Sequence, residues 1–92
     1  MAQIIKASGE TIEVNPTNGK HFSLKEMQDV VGGYIEVVSS YDGKKRIVLN
    51  EEGKLNSLPI NEKATILYNG NTRILHDVIV GDVLVINPSQ IN

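Results

Sequence analysis

The chain contains no cysteine and no tryptophan, has only three prolines, and is 4% aromatic. The missing cysteine excludes a disulfide framework, a thiolate zinc site and a cysteine nucleophile together. It also fits a reducing compartment. With so few aromatic rings, the core has to be built from Ile, Val and Leu. No stretch approaches the roughly 20 apolar residues of a membrane span. The opening MAQIIKASGE carries too short an apolar run for a signal peptide, so a cytoplasmic protein with no membrane partner is expected. An excess of positive charge is absent too: nine Lys and Arg stand against 11 Asp and Glu, a formal net charge of -2. That balance gives no electrostatic footprint for nucleic acid, and it is too mild for a DNA mimic. The basic run Lys44-Lys45-Arg46 follows a turn signal and reads as a solvated hairpin shoulder.

What is present suits one domain. Ninety-two residues, 40% of them hydrophobic, can bury one small core. A single compact domain over 1–87 is expected, with a polar tail over 88–92. QIIKA and TIEV flank a short Gly-containing turn and read as two paired strands. Asn15 to Gly19 is a loop by composition. In HFSLKEMQDVVGG, Ser23 and Glu26 form a capping box, and Phe22 with Met27 supplies a hydrophobic staple. Leu24, Met27, Val30 and Val31 keep helical spacing, and Gly32 or Gly33 ends the helix. The spacing predicts a helix over about 24–31.

YIEVVSS and KKRIVLN then flank Tyr41-Asp42-Gly43. A three-residue hairpin loop with a left-handed Gly43 pairs Val37 with Ile47 and Ile35 with Leu49. That register sorts apolar from polar residues, whereas a two-residue loop would set Glu36 against Leu49 and mix the faces. Asn50 to Lys54 is a turn, with Gly53 at a position that tolerates positive φ. Asn61 caps a short helix over about 61–68, with Ala64, Leu67 and Tyr68 on one side, stopped by Asn69-Gly70-Asn71. DVIVGDVLVI breaks at Gly81 and ends in a strong strand, and the polar NPSQIN that follows reads as frayed. The class is α+β, a small mainly antiparallel sheet with two helices. The alternative is a small, partly closed β-barrel plugged by the helix.

Three segments, SLKEMQDVVGGYIEVV, VLNEEGKLNSLPINEKAT and DVIVGDVLVI, together with the turn DGK, span about Ser23 to Ile86. In order and spacing they resemble a family of small uncharacterised domains found in bacteriophages, plasmids and other mobile elements, and in gut and soil bacteria. The N-terminal hairpin carries little of the pattern. The resemblance implies an accessory protein in a bacterial host cytoplasm. It implies no assigned chemistry and no catalytic residue.

The candidate binding residues are Tyr34, Glu36, Arg46, Asn50, Glu51 and Asn61. Asn50 and Glu51 open a turn and Asn61 caps a helix, roles that by themselves demand those residue types. Glu36 is less easily explained, because glutamate is disfavoured in mid-strand. In the three-residue register it shares a face with Tyr34, Val38, Arg46, Val48 and Asn50, with Arg46 its diagonal partner. The face is then either a solvated surface with a cross-strand ion pair or a concave polar site. In a site, Tyr34 would offer a flat ring, Arg46 an anion contact, and Glu36 and Asn50 hydrogen bonds.

Catalysis is not expected. Glu51 and Glu52 are adjacent and diverge, Asp77 and Asp82 have no evident partner, and His21 and His76 show no convergence into a triad. A metal site is not expected from two histidines and scattered carboxylates, and no cofactor is expected, since no phosphate-cradling glycine loop is present. The expected function is a non-catalytic binding protein that modulates a host process by engaging a host protein. The alternatives are sequestration of a nucleotide-type signal in counter-defence and a nucleic-acid accessory role. Self-association to a homodimer is compatible with the aliphatic strands.

Overall fold

The computed structural model describes residues 2–70 and 77–91. Helix α1, Leu24–Val31, begins as its sequence dictates. The Ser23 hydroxyl accepts the Glu26 N–H at 3.1 Å, and the Glu26 carboxylate accepts the Ser23 N–H at 3.0 Å. Phe22 and Met27 bury together in one cluster, as a staple requires. The helix ends at Gly32, which is left-handed at φ 80° and returns its N–H to the Gln28 carbonyl. A side chain at that φ would be strained, so glycine belongs there. Leu24, on the helical spacing, is more than half exposed all the same.

Among the described residues five strands form one antiparallel sheet: β1 Ala2–Ile5, β2 Thr11–Val14, β3 Ile35–Ser39, β4 Arg46–Asn50 and β5 Val83–Ile86. Their spatial order is β2-β1-β5-β4-β3. The architecture is therefore α+β. The sheet is not closed, with β2 at one edge and β3 at the other, so the barrel alternative fails. Its physical ground is gone as well, because each face has a helix of its own and no plug is needed. Helix α2, Glu62–Asn69, is capped by Asn61 as expected.

The central strand shows how the faces divide. Leu84 and Ile86 bury with Ala2, Val48, Phe22, Met27 and Val31 beneath α1. Val83 and Val85 bury with Ile5, Ile47, Ile79 and Ala64 on the α2 side, where Leu67 and Tyr68 also pack. All four β5 residues are buried, the mark of a strand covered on both sides. Each fully buried Ile, Leu or Val contributes about 1.5–3 kcal/mol before the entropy of ordering it.

This two-sided core explains why the expected hairpin register is wrong. The observed pairs are Ile35 with Asn50, Glu36 with Leu49, Val37 with Val48 and Val38 with Ile47. That is the register set aside because it mixes the faces. Sorting by face is a constraint only when one face is dry and the other wet. Here both are partly covered, and Val48 and Ile47 bury on opposite sides. The loop is a four-residue connection closed by Gly43 N–H to Ser40 carbonyl and Ser40 N–H to Lys45 carbonyl. Asp42 braces it, accepting the Ser40 hydroxyl and the Lys44 N–H.

Two further expectations change. Gly53 does not have positive φ; the left-handed residue of that loop is Ser57, at 56°. Gly53 is needed for space, because a Cβ there would lie 2.8 Å from Val80 Cγ2. The C-terminal segment is docked. Pro88–Gln90 forms a 3-10 turn, Phe22 N–H donates to the Gln90 carbonyl at 2.8 Å, and Ile91 packs beneath α1. The expectations for Asn71, His76 and Asn92 lie outside the described residues.

Candidate functional site

Two clefts meet at the junction of α1, β3 and the loop after β4, and Asn50 lines both. The first, about 480 Å³, is bordered by Gln28, Asp29, Tyr34, Glu52 and Asn56, with Gly32 and Gly33 leaving its floor bare. The second, about 120 Å³, lies on the α2 side and is lined by Glu36, Glu51, Lys54, Tyr68 and Asp77 over an apolar base of Val38, Leu49 and Ile79. Among the described residues the larger cleft holds two carboxylates, three amides and a phenol, and no cation. The smaller holds, among the described residues, one cation, Lys54, and that ammonium is engaged by the Asp77 carboxylate.

Asn50 builds the junction. It is 6% exposed, donates to the Val31 carbonyl at 3.1 Å and accepts the Glu52 N–H at 2.8 Å. One amide thus fastens the end of α1 to the turn after β4. A second tie, Glu51 N–H to Tyr34 carbonyl at 2.9 Å, fixes the entry to β3. The walls are therefore held by the Asn50 amide and one backbone hydrogen bond, and Tyr34, 66% exposed, stands at the rim.

The sequence-predicted residues divide into three groups. Tyr34 and Asn50 meet in the larger cleft, and Glu36, Glu51 and Asn50 line the smaller one. Arg46 is elsewhere. The one-residue change in register puts it opposite Ser39, on the α1 face, while Glu36 shares the α2 face with Leu49. The expected Glu36–Arg46 diagonal pair does not form, and the Arg46 guanidinium donates instead to the carbonyls of Gly43 and Lys45. Asn61 is fully internal. It accepts the Ala64 N–H and donates to the carbonyls of Ile5 and Gly81, joining α2 to β1 and to the approach to β5. Its role is architectural.

Several participants carry no sequence signal. Asp77 and Asp82 were expected to lack partners, yet Asp77 meets Lys54 and Asp82 accepts the Ala7 N–H at 3.0 Å. Both partners lie far away in sequence. Asp29, Glu52 and Asn56 look like ordinary surface residues until the chain folds. An exposed (i, i+4) pair joins Asp29 to Lys25.

Three carboxylates are held below their ordinary range. Backbone N–H bonds from Ser23 and then Thr17 lower Glu26. The Lys44 N–H, then the Ser40 hydroxyl, lower Asp42. The Lys54 ammonium, then the Val78 N–H, lower Asp77. All three are thus stabilised as anions, the opposite of what a general acid at neutral pH needs. Among the described residues, no three His, Asp or Glu side chains gather to hold a metal ion. No helix there is long and apolar enough to cross a membrane.

Residues 1–91 match the family described as Domain of unknown function (DUF3846), and the chain belongs to that family. No curated protein and no solved structure matches it.

Proposed function

We propose that this chain is a small non-catalytic binding protein of phage or mobile-element type, acting in the bacterial cytoplasm by engaging a host protein. The observation that carries the reading is the open edge strand β3, bordered by two exposed tyrosines. Tyr34 and Tyr41 are each more than 60% exposed, and Val37 between them is 39% exposed. Aromatic side chains standing out beside open backbone are the materials of protein interfaces.

A nucleotide-type ligand finds less support. Among the described residues no cation lines the larger cleft, Lys54 of the smaller one is already paired, and Arg46, the intended anion contact, lies on the opposite face from Glu36. Nucleic acid meets the same obstacle, because phosphate contacts dominate its affinity.

The test is native mass spectrometry of the protein purified from phage- or plasmid-bearing cells. The expected result is a stoichiometric complex with one host protein, lost in Tyr34→Ser. A retained small molecule with a matching rise in melting temperature would replace this reading by the sequestration one.

A further inference from the structure

We propose that the β3 edge receives an extended segment of the partner protein as a sixth strand, and that this segment carries Lys or Arg opposite Glu36. The proposal rests on the binding-protein reading and specifies how the partner is recognised.

The backbone comes first. In an antiparallel ladder, alternate residues turn both polar groups toward the neighbouring strand. The bonds Glu51 N–H to Tyr34 carbonyl and Ser40 N–H to Lys45 carbonyl set the phase. With the observed pairing, Glu36 and Val38 also face β4. Ile35, Val37 and Ser39 therefore aim their N–H and C=O groups outward. Among the described residues, β3 pairs only with β4. Three consecutive outward positions form a template for strand addition.

Charge selects the occupant. A second copy could pair antiparallel with β3 about Val37, but that would set Glu36 of both copies diagonally on one face. Like charges there are repulsive. Among the described residues Glu36 has no ion-pair partner, and Glu51 lines the same cleft beside it. Around the corner, at Tyr34, the larger cleft adds Asp29 and Glu52. Lys25 and Lys54 near this end are paired with Asp29 and Asp77. The Tyr34–Glu36 end of the edge is thus acidic with an exposed ring, a setting that suits a lysine or arginine side chain.

The probe is a blocked octapeptide of alternating valine and lysine, which places every lysine on one face. Its valine–glutamate counterpart is the control. Amide hydrogen exchange is followed by NMR. The lysine peptide is expected to slow exchange at Ile35, Val37 and Ser39 by more than about tenfold, with no slowing by the control. Val37→Pro removes an outward N–H and no ladder bond, so it keeps the fold and abolishes the protection. Should that variant not fold by circular dichroism, Glu36→Lys serves instead, and its preference moves to the glutamate peptide. Equal protection by both peptides overturns the proposal. So does equal slowing along Thr11–Val14, or slowing that needs only more protein and no peptide, which would mean a second copy. A host complex that survives Val37→Pro overturns the edge proposal and leaves the binding reading intact. Peptide protection with no host complex in any cell extract does the reverse.

Discussion

Asn61 does the work of three residues. Its side-chain oxygen caps α2 and its nitrogen closes two backbone carbonyls, all with 1% of the residue exposed. Replacing it with alanine removes a cap and leaves two buried acceptors open. The expected loss is about 2–4 kcal/mol, read as a lower urea midpoint with an unchanged m-value. Asn61→Asp keeps the cap acceptor but cannot donate, so it does not restore stability. The capping half of this role is legible in the sequence, because asparagine before NEKATILY is a local signal. The other half is not, since Ile5 and Gly81 are 56 and 20 residues away. Asn50 repeats the pattern: its turn is readable, and its bond to the end of α1 is not.

Elements show where pattern suffices and where it misleads. The bounds of helix α1 were readable because its cap, staple and glycine stop lie within a dozen residues. The β3–β4 register was not, because face-sorting presumes one wet side and this sheet has a helix on each. The wrong register produced a wrong partner for Glu36. A double-mutant cycle of Glu36→Ala and Arg46→Ala should give a coupling energy near zero, within about 0.3–0.5 kcal/mol, as expected for residues with no contact. Glu36 instead shares a position with Glu13. Both stand mid-strand on the outermost strands, facing the α2 side beside Leu49 and Gln3. A charge in the middle of an edge strand discourages unwanted pairing. Glu36→Val should therefore leave the melting temperature nearly unchanged and promote concentration-dependent self-association, measured by light scattering after gel filtration.

At the scale of the whole molecule, three lowered carboxylates contribute to stability on the acid side. Each has a folded pKa below its ordinary value, 4.5 for Glu26 and 3.8 for Asp42 and Asp77. In the window between, the unfolded chain binds more protons than the folded one, so stability rises with pH. Their contribution is complete above the ordinary values and is lost as pH falls through the lowered ones. Melting temperatures recorded from pH 7 downward should stay level with respect to these groups until the carboxylate range and then fall. Glu26→Gln and Asp77→Asn should each flatten that fall, because the titrating group is gone. Two of the three networks could be anticipated from local spacing, Ser23 with Glu26 and Ser40 with Asp42. Lys54 with Asp77 could not, for it closes only once the chain has folded.

The position of β5 has a consequence for how the molecule is made. The strand at the centre of the sheet is the one that leaves the ribosome after the other four. Until it arrives, the β1–β2 hairpin and the β3–β4 hairpin have no strand between them, and neither helix has a complete floor. A two-stranded hairpin is at best marginally stable in water. Nascent chains stalled before Val83 should thus be cut freely by proteases, and chains extended far enough to release Ile91 should resist. Folding of this domain would then wait for its last strand, with little chance for a part-made sheet to hold the native shape.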